Sequence, residues 1–478
     1  MRPVDRDREA TPGRQAGPLA GEPGVGVDLP PPFCARDEAT AWLFALNRMG
    51  IRPGLVRIKG LLEDLGNPQD RLRTLVVAGT NGKGSTTRIL ARLLRSAGYK
   101  VATYTSPHLL KVTERIQIDE QPVDEEEFSA RVRAVRPLVE KHAASWFETL
   151  TALAVQIAAD AQVDFLCCET GLGGRLDATN ALPAEAVLLT GIGLDHQHIL
   201  GETRAEIAAE KLGLLKPGVP FFCALDPDLK PQAFAAAVQA GTGCRFLDEL
   251  TRITTGGQDR SGTWDLALRD RVLTGLPGGG MPFQRRNTAL ALLTLAELES
   301  RLGRTLVPHD PATALGNLFL PGRYQQILAG PDWIIDTAHN TQALTAVLQR
   351  YLERPVGGRR ILLLGGMRDK TWTGEVGALV RRMDEVVLTP IGLPRSRTPE
   401  DLRLLADSWG GRWEIATGRR EALAGLAGRL EKSDSVLVTG SGFLAAEVLH
   451  GLGFEDLEDT AVIRPAPEVL AGLKGKGK

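Results

Sequence analysis

"VVAGTNGKGSTT", residues 76–87, decides how the rest of the chain is read. It joins a β-branched apolar run, "TLVVA", to "RILARLLRSAG", in which Ile89, Leu90, Leu93, Leu94 and Ala97 recur at helical spacing before Gly98. A strand, a glycine-rich turn and a helix in that order are the setting of a phosphate-binding loop. Gly79, Gly82 and Gly84 permit close backbone approach and positive φ. The helix start aims free N–H groups at an anion, and Lys83 adds a mobile charge. The commonest template, G-x-x-x-x-G-K-[ST], is not met: Val77 stands where its first glycine belongs, and Gly84 separates Lys83 from Ser85. Ser85 or Thr86 supplies a hydroxyl for a hard cation such as Mg²⁺.

Outward from this loop, apolar runs of strand length alternate with helical patterns. "VDFLCCET" and "EAVLLTGI" are continuous apolar runs, as expected of strands covered on both faces. Residues 220–280 are polar and turn-rich and read as a small antiparallel excursion. After Pro321–Gly322 a second series begins, with "DWIIDTAHN", "RRILLLGGM", "DEVVLTP" and "SDSVLVTGSG" separated by helices. The order predicts an α/β fold: a mainly parallel-sheet domain carrying the phosphate-binding loop (P-loop) over residues 36–320, then a smaller Rossmann-like α/β domain over 321–465. A disordered tail over 1–35 and a basic tail over 466–478 are expected to flank them.

Bulk properties narrow the function. With 57 basic against 58 acidic residues in 478, the net charge of −1 gives no electrostatic footprint for nucleic acid or an anionic membrane. No run of about 18 apolar residues exists to cross a bilayer, and the first thirty residues lack the apolar core of a secretory signal. Five scattered cysteines, Cys34, Cys167, Cys168, Cys223 and Cys244, include no C-x-x-C pair. They read as buried or incidental thiols of a cytoplasmic protein.

Open α/β sheets bind ligands at the carboxyl ends of their strands. That rule places Ser106 after "YKVATYT", Glu169 after "VDFLCC", and Asp195 with His196 after "EAVLLTGIGL" along one edge beside the phosphate loop. Ser, Glu and His converging there suggest a metal–nucleotide site. By contrast "VLVTGSGFLAAEVL", formally G-x-G-x-x-A after a strand, opens no further βαβ unit, which argues against a dinucleotide-dependent oxidoreductase.

"VAGTNGKGST", "TSPHL…ERI", "GLGGRLDATN", "IGLDH…ILG", "AEKLGLLKPG", "LPGRYQ" and "DTAHN" follow one another as in folylpolyglutamate and dihydrofolate synthases, and the chain resembles that folate branch of the muramyl-ligase superfamily over roughly residues 38–450. The glycine after Lys83 is similar to the folate branch, whereas the muramyl branch usually has Ser or Thr there. The resemblance implies an ATP-dependent ligase that adds L-glutamate to a folate, with dihydropteroate as a further candidate substrate. It implies that Gly82, Lys83, Gly84 and Ser85 cradle the ATP phosphates, and that Asn287, Arg323 and Asp336 contact ATP. Ser106, Glu169 and His196 match Mg²⁺ ligands, and Lys211 matches a lysine that is carbamylated and serves a second Mg²⁺. His339, in the "DTAHN" turn, is placed near the phosphates. Ser145, Trp146, Phe147 and Glu148, with Leu176, Asp177 and Ala178, match segments that contact the pterin-containing substrate. The family default is a monomer.

Read from the residues alone, several positions have plain structural roles open to them. Asn287 suits the cap of the helix "TALALLTLAEL", Arg323 a salt bridge at the joint, Asp336 with Asn340 a helix cap, and Lys211 a surface ion pair with Glu206 or Glu210. His198 has no matching role in the family. Two other functional classes stay in view: a muramyl-type amino-acid ligase of cell-wall precursor synthesis, and a nucleotide-binding protein without catalysis.

Overall fold

The computed structural model describes residues 37–50, 52–255, 262–269, 271–278, 281–411, 413–466 and 469–470. The tail expected over 1–35, with Cys34, lies outside the described residues, as do residues 471–478 of the basic tail. Ala466 and Leu470 are buried, so the packed chain runs past residue 465.

Eight strands form the first sheet: β1 (Thr74–Ala78), β2 (Val101–Tyr104), β3 (Ile116–Ile118), β4 (Gln121–Pro122), β5 (Phe165–Glu169), β6 (Ala186–Leu189), β7 (Phe221–Cys223) and β8 (Cys244–Phe246). Their order is β4-β3-β2-β5-β1-β6-β7-β8. The six strands from β2 to β8 are parallel, and β3 and β4 turn back antiparallel at one edge. Both faces are covered, and the register shows how. On β5, Phe165 and Cys167 face a core shared with the helices Lys83–Ser96 and Pro282–Leu302, while Leu166 and Cys168 face the helices Glu125–His142 and Trp146–Asp160. The adjacent cysteines are thus small apolar fillers on opposite sides of one strand, and burial pushes both thiols up. Each fully buried leucine of these faces, such as Leu75 or Leu90, stabilises the fold by roughly 2 kcal/mol.

The antiparallel excursion is narrower than the sequence reading. Residues 221–246 extend the parallel sheet as β7 and β8, with the helix Lys230–Gln239 between them. Only β9 (Thr251–Thr255), β10 (Trp264–Leu268) and β11 (Arg271–Leu276) make an antiparallel sheet, ordered β11-β10-β9. Runs of three residues such as "FFC" are too short to carry a period, which is why they merge with the polar region after them.

The second unit is a seven-stranded sheet ordered β16-β15-β14-β17-β13-β12-β18. Its strands are β12 (Gln325–Ala329), β13 (Asp332–Ile335), β14 (Arg360–Leu364), β15 (Glu385–Leu388), β16 (Glu414–Ile415), β17 (Ser435–Thr439) and β18 (Arg464–Pro465). All neighbours are parallel except β12 with β13. Alternate residues again serve two cores: Ile361, Leu363, Val436 and Val438 on one face, Leu362, Leu364, Val386 and Leu437 on the other.

The units are joined by more than the chain. Leu109 and Leu110, from the loop after β2, are buried in a core of the second sheet. Glu114 holds that loop by accepting the N–H groups of Leu109, Leu110 and Lys111 at 2.7, 2.8 and 2.6 Å. Beside it, Lys111 pairs with Asp456 of the second unit.

Candidate active site

A cavity of about 300 Å³ lies between the carboxyl edges of the two parallel sheets. From the first unit it is lined by Gly82, Lys83, Gly84, Ser106, Glu169, His196 and Lys211, and from the second by Arg323 and His339. Nine predicted residues from scattered segments therefore meet in one place. Ser85 is buried and lines a small adjoining cavity together with Arg323.

The loop conformation requires its glycines. Gly79 has φ +148°, and a Cβ there would lie 1.9 Å from Oγ1 of Thr190. Gly82 has φ +85° and immediately precedes the helix Lys83–Ser96, whose start faces the cavity. Gly84 lies close to Glu169, with 3.0 Å between its Cβ position and Oε2. The glycine after the lysine therefore leaves room for the carboxylate at the end of β5.

Asn287 and Asp336 do not line the cavity but support it. The helix bearing Asn287 begins at Pro282, so this residue is interior to it and is not its cap; its amide lies against Gly82. Asp336 is buried and accepts the N–H groups of Tyr324 and Ala338, each at 2.7 Å, so it ties β12 to the "DTAHN" turn. The helix cap belongs to Asn340, which accepts from Ala343. Arg323 bonds Thr337.

Burial and charge shift several groups that line the cavity. Burial pushes the Glu169 carboxyl up, against the pull of Lys83 at 3.9 Å and the Ser106 N–H at 2.9 Å. Burial, with Lys83 adding repulsion, brings the Lys211 ammonium down to about 7. Lys211 is 6% exposed, which overturns the surface ion-pair reading; Glu210 pairs instead with Arg175 at 2.8 Å. Burial also pushes the Asp195 carboxyl upward, but His339, His196 and Lys370 outweigh it and hold it far below the usual carboxylate range.

Glu169 also tests the fit of a divalent cation: a buried carboxylate whose lysine neighbour stands 3.9 Å away retains capacity for a hard ion. Among the described residues no three His, Cys, Asp or Glu side chains form a closed metal cluster. A sparse set of Ser106, Glu169 and His196 suits an ion that takes one or two carboxylates and shares phosphate oxygens and water.

The predicted substrate residues lie outside the cavity lining. Ser145 caps the helix Trp146–Asp160 and exchanges hydrogen bonds with Glu148, which also pairs with Arg57 at 3.1 Å. Trp146 stacks on Phe44 with centroids 4.8 Å apart. Asp177 accepts from Leu172 and Thr179 and so shapes the loop after β5; Ala178 is buried and Leu176 exposed.

Sequence reasoning gave no role to Lys370, which lines the cavity and bonds Asp195 at 2.5 Å. It follows β14 in "GGMRDK", so the strand-end rule applied to the second sheet would have found it.

A glycine-rich phosphate loop facing a second α/β unit across a ligand cavity defines an ATP-dependent ligase architecture, and the comparisons agree. Residues 322–442 match the family described as Mur ligase, glutamate ligase domain. The dihydrofolate synthase/folylpolyglutamate synthase of Bacillus subtilis (strain 168) is 30% identical over 430 residues, covering 87% of this chain and 99% of that protein. The structure of E. coli FolC in complex with DHPP and ADP matches at TM-score 0.77 and 29% identity, covering 87% of this chain and 97% of that one. A bifunctional folylpolyglutamate synthase/dihydrofolate synthase with Mn, AMPPNP and L-glutamate bound matches at TM-score 0.77 and 31% identity, covering 87% and 98%. The chain belongs to the dihydrofolate synthase/folylpolyglutamate synthase family.

Proposed function

We propose that this protein is an ATP-dependent amide ligase that joins L-glutamate to a folate, and that it also accepts dihydropteroate. The observation that carries the reading is the meeting of Lys83 from one unit with Arg323 and His339 from the other on a single cavity. A carboxylate is a poor electrophile because its charge opposes a nucleophile. Transfer of the γ-phosphoryl group to it neutralises that charge and installs a leaving group; the glutamate amine then displaces phosphate.

In this reading Gly82, Lys83, Gly84 and Ser85 hold the phosphates, and the Lys83 ammonium offsets charge on the phosphoryl group in flight. Asn287 braces the loop at Gly82, while Arg323, beside the Tyr324 N–H that Asp336 holds, places the nucleotide against the second unit. Ser106, Glu169 and His196 would hold Mg²⁺, which supplies Lewis-acid neutralisation of phosphate charge. Lys211 is buried and its ammonium is brought down to about 7, so a neutral amine is accessible; neutral amines add carbon dioxide, and the carbamate would serve a second Mg²⁺. Ser145–Glu148 and Leu176–Ala178 are assigned to the wall around the pterin. Residues 36–320 and 321–465 act as two units that close about Leu320–Arg323, excluding water from the acyl phosphate.

The test is phosphate release from ATP and L-glutamate with tetrahydrofolate or dihydropteroate as acceptor. Release with both supports the bifunctional reading, and release with tetrahydrofolate alone restricts it. Release with neither, in the presence of Mg²⁺, overturns the proposal.

A further inference from the structure

Asp195 sits at the seam between the units, and the contacts of its two carboxylate oxygens are unevenly shared between them. Oδ1 accepts the N–H of His196 at 2.9 Å, a bond within the first unit. The same oxygen accepts from Nζ of Lys370 at 2.5 Å. Oδ2 accepts from Nδ2 of Asn340 at 3.0 Å and faces Nε2 of His339 at 3.3 Å. Three of these four groups belong to the second unit. Asn340 also donates to Asn81 in the phosphate loop at 2.9 Å, and Asn81 donates to Gln342 at 3.1 Å. Lys370 and Asp195 are both buried, so neither charge is balanced by water while they are together.

The seam has a second contact of opposite character. Leu109 and Leu110 are sunk in an apolar core of the second sheet. Apolar packing of that kind loses its whole contribution on parting. A cluster of charged and amide groups instead exchanges its partners for water at small net cost. If the units move, the polar side opens and the apolar side stays shut.

We propose that Asp195 and Lys370 form a polar latch that holds the two units closed over the cavity, with His339 and Asn340 engaging the same carboxylate. The inference rests on the reading that the units move, but not on what the ligase joins. Asp195 is also the chain neighbour of the candidate metal ligand: its Oδ1 accepts the N–H of His196, whose φ is 51°. The Lys370 ammonium, 3.5 Å from Nε2 of His196, reaches the candidate metal ligand only in the latched arrangement.

The experiment is hydrogen–deuterium exchange on the full chain without substrates, comparing wild type with Lys370→Met, Asp195→Asn and the double variant. Peptides spanning 192–201 and 336–345 report the seam, and a peptide over β1 reports the core. Loss of a charged hydrogen bond is expected to speed seam exchange by about tenfold in each single variant, with β1 unchanged. The double variant should stay within about twofold of the faster single, because both remove one interaction. Unchanged seam exchange in Lys370→Met, or single effects that multiply in the double variant, would overturn the latch. If Asp195→Asn fails to fold, seen as fast exchange in β1, Lys370→Met alone decides. Phosphate release measured on the wild-type sample reports separately on the ligase reading.

Discussion

A Cβ built on Gly82 would stand 2.6 Å from the side-chain oxygen of Asn287, although the two residues are more than 200 positions apart in the chain. Backbone strain and a collision coincide at this position. Gly82→Ala should weaken binding of an ATP analogue by tenfold or more, since the left-handed conformation alone costs an L-residue about 1–2 kcal/mol. Adding Asn287→Ala removes the collision but not the strain, so the double variant should recover only part of the affinity. Fluorescence titration with a labelled nucleotide reads both; full affinity in Gly82→Ala would mean that the loop is not held as described.

Lys83→Ala should lower kcat by about 100-fold or more, the cost of losing a charged contact made to the transition state. The thermal midpoint should move little, because this side chain faces the cavity, its hydrogen bond to the Thr80 carbonyl is long at 3.3 Å and its Glu169 partner stands 3.9 Å away. Steady-state phosphate release and a melting curve check the two halves. A variant keeping more than half of the wild-type kcat would refute the nucleotide assignment.

Lys211 predicts a pH dependence of stability with a definite sign. Its ammonium titrates at about 7 in the fold against 10.5 when free. Between those values the unfolded chain binds more protons than the native one, so this residue's contribution to stability rises with pH across that window. The penalty for burying its charge is fully present below pH 7. Lys211→Met should therefore stabilise the protein at pH 6 and gain progressively less toward pH 10. Urea unfolding at several pH values measures this; a gain that does not vary with pH would contradict it.

The carbamate proposal has its own signature. Wild type equilibrated with ¹³C-labelled bicarbonate should show a carbamate carbon resonance that Lys211→Ala lacks. Turnover of that variant should be nearly abolished and partly restored by a short carboxylic acid. Near-normal turnover of Lys211→Ala in carbonate-free buffer would remove the carbamate from the mechanism.

Small-angle scattering of Lys370→Met, in which the latch is broken, should show a smaller radius of gyration when an ATP analogue and a folate are both bound. An unchanged radius with both ligands demonstrably bound would argue against closure about Leu320–Arg323.

Much of the site was legible because strand ends are legible. Ser106, Glu169 and His196 each follow an apolar run and therefore had to reach the edge where the phosphate loop lies. What stayed hidden depended on directions that a local pattern does not encode. Asn287 looked like a helix cap because the apolar repeat begins at Thr288, yet the helix starts at Pro282 and turns the amide toward Gly82. Lys211 looked exposed because its neighbours Glu206 and Glu210 are charged, while its own side chain faces the opposite way into the cavity. Asp195 was placed on the correct edge, but its partners come from the other sheet, and that pairing exists only in three dimensions.

The seating of Leu109 and Leu110 in the second unit's core bears on how this protein can be taken apart. A fragment ending near Pro321 would carry two leucines held out on a loop by Glu114 with nothing to receive them. The complementary fragment would carry the empty socket. Each half should be stickier than the whole, and mixing them should restore solubility only when the first half retains both leucines. The halves are not interchangeable modules on a string; they share a stopper and its bottle.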